Sequence, residues 1–269
     1  MSTGTRAVRL RPRSAAAIVV VSVIGVMANL WPLLIDDHSA IANHSAQAPM
    51  LFALLLPLML LVVLAELADG GMDAKAVAML GVLSAVDAAL RPLGAGTGGI
   101  EVMFFLLVLA GRVFGAGFGF ALGATSMFAS AILTAGIGPW LPYQMLGASW
   151  VALGAGLLPW RRGLRWPAEL ALLCGYTAFA SLAYGFVLNM SFWPFSTTGD
   201  PGISPVPGAP LATNLAHFVA FSLATSLGWD LGRVITNVAL VLAVGRPVMT
   251  ALRRASRRAA FEARGEFVD

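Results

Sequence analysis

Residues 15–34 read AAAIVVVSVIGVMANLWPLL, twenty positions without a single charge. An α-helix needs about 20 apolar residues to cross the hydrocarbon core of a bilayer, so this stretch is long enough to span one. Further apolar runs follow at 49–67, 74–93, 115–134, 143–160, 167–190 and 211–244, with a shorter one at 99–111. Such repetition separates the chain from a soluble domain behind a cleavable leader, whose apolar segment is single and short. Across its 269 residues the chain is 58% hydrophobic and 11% charged, against about a quarter charged in ordinary soluble domains. With so few charges, much of the apolar surface has to face lipid. The expected fold is all-α, a polytopic membrane helix bundle with eight spans. The run at 211–244 exceeds one straight span and is expected to tilt or bend near Gly228.

The formal charge of +4 is not the footprint of a nucleic-acid binder, because the basic residues fall in short clusters between apolar runs. Placing the N-terminus inside puts Arg6, Arg9, Arg11, Arg13, Lys75, Arg112, Arg161, Arg162, Arg165 and the basic tail at 246–258 on the cytoplasmic side. Both termini are therefore expected in the cytoplasm of a bacterial cell, with the chain in its inner membrane. Arg91 and Arg233 depart from the rule, lying inside or at the outer end of spans. Asp87 stands four residues before Arg91 and Asp230 three before Arg233, so each acid shares a helix face with its arginine and is expected to neutralise it.

Catalytic signatures are missing from the sequence. No G-x-x-x-x-G-K-[ST] loop occurs, since the glycine-rich stretch 94–99 has no lysine, and no H-E-x-x-H motif occurs. His38 and His44 fall in the first outer link and His217 near the outer end of the last run; Cys174 is the only cysteine, so a thiolate cage is excluded. The chain reads as a non-enzyme with no metal and no cofactor.

Small residues recur at helical spacing in three places. Ala74, Ala78, Gly81, Ala85 and Ala89 form one stripe; Gly111, Gly115, Gly119 and Gly123 form another; Ala148, Ala152 and Gly156 form the third. Small-xxx-small rows let helix backbones approach closely in membranes. The second and third are expected to pack inside the bundle, and the first to serve another membrane subunit. Polar and aromatic residues gather at the outer ends of the spans instead: Arg91, Glu101, Trp140, Tyr143, Gln144, Tyr184, Asn189, Asn214, His217 and Phe218. Aromatic walls with a few hydrogen-bonding groups are the make-up of a small-molecule pocket, and these ten are the candidate substrate-binding residues. The many aromatics and few outer charges suggest a large ligand with planar and amide parts.

Four segments together resemble a known family. They are Arg91-Pro92-Leu93-Gly94-Ala95-Gly96, Leu109-Ala110-Gly111-Arg112-Val113-Phe114-Gly115, Gly136-Ile137-Gly138-Pro139-Trp140-Leu141-Pro142-Tyr143-Gln144, and Trp229-Asp230-Leu231-Gly232-Arg233 with Gly245-Arg246-Pro247. In these the chain resembles the substrate-binding S component of energy-coupling factor vitamin transporters. The resemblance covers residues 74–258 and implies a six-span core over about 74–250. The basic leader and two additional spans, 1–73, then stand as an N-terminal addition, and 251–269 as a basic cytoplasmic tail. It also implies capture of a vitamin-like micronutrient from outside, cobalamin or another corrinoid ahead of biotin, thiamine, riboflavin, folate or a queuosine precursor, and docking on a T component with two cytoplasmic ATPases through an Ala-x-x-x-Ala motif. Both 74–78 and 85–89 fit that spacing. The competing reading is a non-transport membrane accessory or assembly protein.

Overall fold

The computed structural model describes residues 12–33, 72, 74–94, 97–159, 164–195 and 200–262. The expected span 49–67, the link with His38 and His44, the leader before residue 12, Arg161 and Arg162 lie outside them. Eight α-helices occur among the described residues: α1 Pro12–Leu30, α2 Ala74–Leu90, α3 Phe104–Phe114, α4 Ala116–Leu133, α5 Leu141–Leu157, α6 Trp166–Phe192, α7 Leu211–Thr225 and α8 Leu227–Glu262. No strand appears among these residues. Five segments, Pro12–Leu30, Ala74–Leu93, Ala116–Leu133, Trp166–Phe195 and Leu227–Arg257, are long and apolar enough to cross a membrane, which fits a multi-pass membrane protein.

Proline sets many of the boundaries. It stands at a helix start in α1, α5 and α6, where its missing N–H is no loss. Pro32, Pro92 and Pro194 sit in the 3-10 turns that follow α1, α2 and α6, where the chain can no longer continue as an α-helix.

At the centre lies α3, whose every residue from Phe104 to Phe114 is buried. A helix that is apolar all round belongs in an interior. Around it pack α4, α5, α6 and α8, while α2 lies against α4 and α1 lies against α6. Association of helices in lipid gains little from the hydrophobic effect and depends on close packing. The packing of α4 on α5 supplies it: a Cβ on Gly119 would collide with the Ala152 backbone, and one on Gly123 with the backbone of Ala148 and Ser149. Gly111 meets Ala152 and Gly156 meets Ala116 in the same way, so the second and third small-residue stripes are filled from within the chain.

The first stripe points elsewhere. Ala74, Ala78, Gly81, Ala85 and Ala89 are all exposed on α2, and a Cβ on Gly81 would meet nothing within 4 Å.

One expectation is corrected in detail. The run 211–244 is not a single bent span: α7 ends at Thr225 and α8 begins at Leu227. The hinge is Ser226, not Gly228. Thr225 returns its hydroxyl to the Phe221 carbonyl at 2.8 Å, and the Ser226 hydroxyl donates to Asn189 Oδ1 at 3.0 Å. Hydroxyls that bond backward or sideways in this manner bend helices. From there α8 runs on to Glu262, so Arg253, Arg254, Arg257 and Arg258 stand on the same helix.

Candidate functional site

At one end of the bundle meet the C-terminal ends of α2, α4 and α6 and the N-terminal ends of α3, α5 and α8. Arg233, on the first turns of α8, is the hub. Its Nε donates to Glu101 in the segment before α3, and its Nη1 donates to Asp230 at 2.7 Å and to the Ser181 carbonyl of α6 at 3.1 Å. The guanidinium also lies over Tyr184, 5.1 Å from the ring centroid, and over Phe104 at 5.7 Å. One turn further, Asn237 accepts from the Phe105 N–H at 2.8 Å and donates to the Glu101 carbonyl at 2.6 Å. The α3 helix has no side-chain cap of its own, so Asn237 of α8 satisfies one of its free amides from outside.

Above this hub opens a cleft of about 280 Å³, lined by Arg91, Glu101, Trp140, Trp229 and Arg233 together with Thr134, Ile100, Pro92 and three glycines. Its closure depends on two glycines. Gly99 has φ +79°, and a Cβ there would collide with the Trp229 carbonyl; a Cβ on Gly232 would collide with the Gly98 carbonyl. Only side-chain-free backbone brings the 98–100 turn down onto α8 this closely.

Arg91 differs from Arg233 in its partners. It donates to Gln144 Oε1 at 3.2 Å and to Ser130 Oγ at 3.5 Å, both neutral. The expected pair with Asp87 does not form, whereas Asp230 and Arg233 pair as expected. Arg91 opens the 3-10 turn that follows α2, and its side chain turns to Gln144 of α5 and Ser130 of α4 instead. The Asp87 side chain is itself 0% exposed and faces Ser126 of α4.

Of the ten candidate residues, the structure brings Arg91, Glu101 and Trp140 to the cleft wall, with Gln144 behind Arg91 and Tyr184 behind Arg233. Tyr143 is buried in α5 and does not line the cleft. Asn189 holds the Ser226 hinge. The remaining three stand apart. Asn214 clamps the Val206 backbone with two bonds of 2.9 Å, the His217 ring meets the Ser204 carbonyl at 2.9 Å, and Phe218 packs on Trp193 and Phe186 in a small separate core. These residues fix the loop before α7 and do not reach the cleft. Nor does the cleft suit a corrinoid: its volume lies at the small end of ligand pockets, which run to about 1,000 Å³.

Arg233, Trp229 and Asn237 were missed as site residues. A signal existed, since Asp230, Arg233 and Asn237 fall at i, i+3 and i+7, one polar face on an otherwise apolar helix.

The opposite end holds a second charge cluster. Arg112 of α3 donates to Glu169 at 3.3 Å and to the carbonyls of Leu158 and Pro159 at 3.0 and 3.2 Å. Arg253 of α8 grips both oxygens of Glu169 at 2.6 and 2.7 Å. This cluster ties α3, α6 and α8 together and lines no described cavity.

No protein-family model, curated protein or solved structure matches the chain.

Proposed function

We propose that the chain is the substrate-capturing S component of an energy-coupling factor importer in a bacterial inner membrane. In this reading α2 to α6 and α8 are the six-helix core, α1 and the run 49–67 are additions, and both termini are cytoplasmic. A vitamin-like micronutrient enters the cleft from outside, and the loaded protein docks on a T component that two cytoplasmic ATPases drive.

The observation that carries the reading is the outward face of α2. Its five small residues are exposed and meet no covering helix among the described residues, whereas the equivalent stripes on α4 and α5 are closed by backbone contact. A row of this kind, left open by the described residues, fits the close approach of another membrane helix. The same helix delivers Arg91 to the cleft, so ligand and partner would bear on one element.

Ala78→Trp provides the test. Bulk at this exposed position should abolish co-purification with the T component and ATP-dependent uptake, while ligand binding by the isolated protein survives. Intact complex and uptake in that variant would return the chain to the class of membrane accessory proteins.

A further inference from the structure

The cleft divides its charges unevenly. Arg233 is held by two carboxylates, Glu101 and Asp230, and by the Ser181 carbonyl, which leaves it little to offer a ligand. Arg91, across the cleft, has no carboxylate partner among the described residues, only the neutral oxygens of Gln144 and Ser130. A guanidinium has more N–H donors than those two bonds occupy. Asp87 is the nearest acid in sequence, but it is sealed in the bundle and forms no part of the cleft lining. A cation left half-buried without its counter-charge is costly at the edge of a membrane, and residues kept in that condition mark ligand sites.

Resting on the reading of this cleft as the capture site, we propose that its ligand is a small carboxylic acid, with Arg91 as the counter-charge. An arginine matches a carboxylate in a planar, bidentate manner. The flanking indoles of Trp140 and Trp229, both largely exposed, supply apolar walls for the rest of the molecule. The modest volume, about 280 Å³, suits a compound of one or two rings or a short branched chain.

The experiment uses the purified full chain in detergent and three acids, nicotinate, biotin and pantothenate. Each is paired with its uncharged counterpart: nicotinamide, biotinamide and panthenol. Calorimetric titration should show at least one acid binding, with its neutral counterpart weaker by about tenfold or more, the cost of leaving a buried charge unmatched. Arg91→Gln should level the pair, and Arg91→Lys should restore part of the preference. Trp140→Ala should weaken both members equally.

If a neutral member binds as tightly as its acid, weakens in Trp140→Ala and ignores Arg91→Gln, the carboxylate proposal fails while the capture site stands. Should none of the six bind, or should binding ignore both Trp140→Ala and Arg91→Gln, the proposal and the reading of the cleft fall together.

Discussion

The two ends of the bundle each bury an arginine against acids, but the stoichiometry is reversed. At the Arg112 end two arginines share one carboxylate, Glu169, and neighbouring backbone carbonyls take further donors. At the Arg233 end two carboxylates share one arginine, a second arginine stands by with neutral partners, and a cleft opens between them. The first arrangement is closed, with its charges serving to fix three helices. The second has groups left over and space beside them, which is what separates a binding site from a structural ion pair.

The largest expected effect sits at the closed end. Glu169→Ala removes the carboxylate that the buried Arg112 and Arg253 share. Removing one partner of a buried ion pair costs about 3–5 kcal/mol. Thermal unfolding in detergent should show that loss, while the folded fraction binds ligand with unchanged affinity. An affinity loss at this distance from the cleft would mean that the two ends are coupled, and the division drawn above would be wrong.

Next in size is Arg233→Met. It leaves Asp230 buried without its partner, but the Glu101 side chain is 30% exposed and can turn to water. The stability cost should be about 1.5–3 kcal/mol, the range for a hydrogen bond to a charged group. Here ligand affinity should fall as well, since the Glu101 carboxylate would no longer be held at the cleft wall. Titration and unfolding of the same preparation separate the two effects.

What could be read from the sequence follows from the range of the interactions. Apolar runs and terminal prolines are local signals, and they placed most helices within a few residues. The Asp230 and Arg233 pair is local too, three positions apart on one helix. Asp87 and Arg91 carry a similar pattern, but Arg91 lies beyond the end of α2, in a 3-10 turn with Pro92 at its centre, and turns to Gln144 and Ser130. The Arg112, Glu169 and Arg253 cluster could not be read at all, because its members lie 57 and 84 residues apart. Sequence reading also gathered Asn214, His217 and Phe218 with the cleft residues because all stand near the outer ends of apolar runs. The hinge at Ser226 detaches α7, whose polar side chains then serve the loop in front of it.

That placement yields a smaller prediction. Asn214→Ala frees the Val206 N–H and carbonyl, which water can reach because Val206 is exposed. A cost of about 1 kcal/mol is expected for such a hydrogen-bonded clamp. Limited proteolysis should become faster within residues 200–210, with ligand affinity unchanged. A loss of affinity would extend the cleft to α7.

The smallest effect on stability should come from Gln144→Ala. Gln144 contributes a neutral acceptor, 3.2 Å from Arg91, from a half-buried position behind the cleft wall. Its removal takes away one neutral acceptor and no carboxylate, so the unfolding temperature should move by less than about 0.5 kcal/mol would shift it, as for an ordinary surface change. Binding should respond more. Gln144 holds the guanidinium against the cleft wall, and without it the Arg91 side chain has to be ordered by the ligand, at about 0.5–1.5 kcal/mol for a flexible side chain. Affinity for the acid should therefore drop by roughly two- to tenfold, with its neutral counterpart little changed. Glu169→Ala and Gln144→Ala then form opposite signatures, stability without affinity and affinity without stability. An equal response of acid and amide to Gln144→Ala would show that Gln144 contacts the ligand directly and does not act through Arg91.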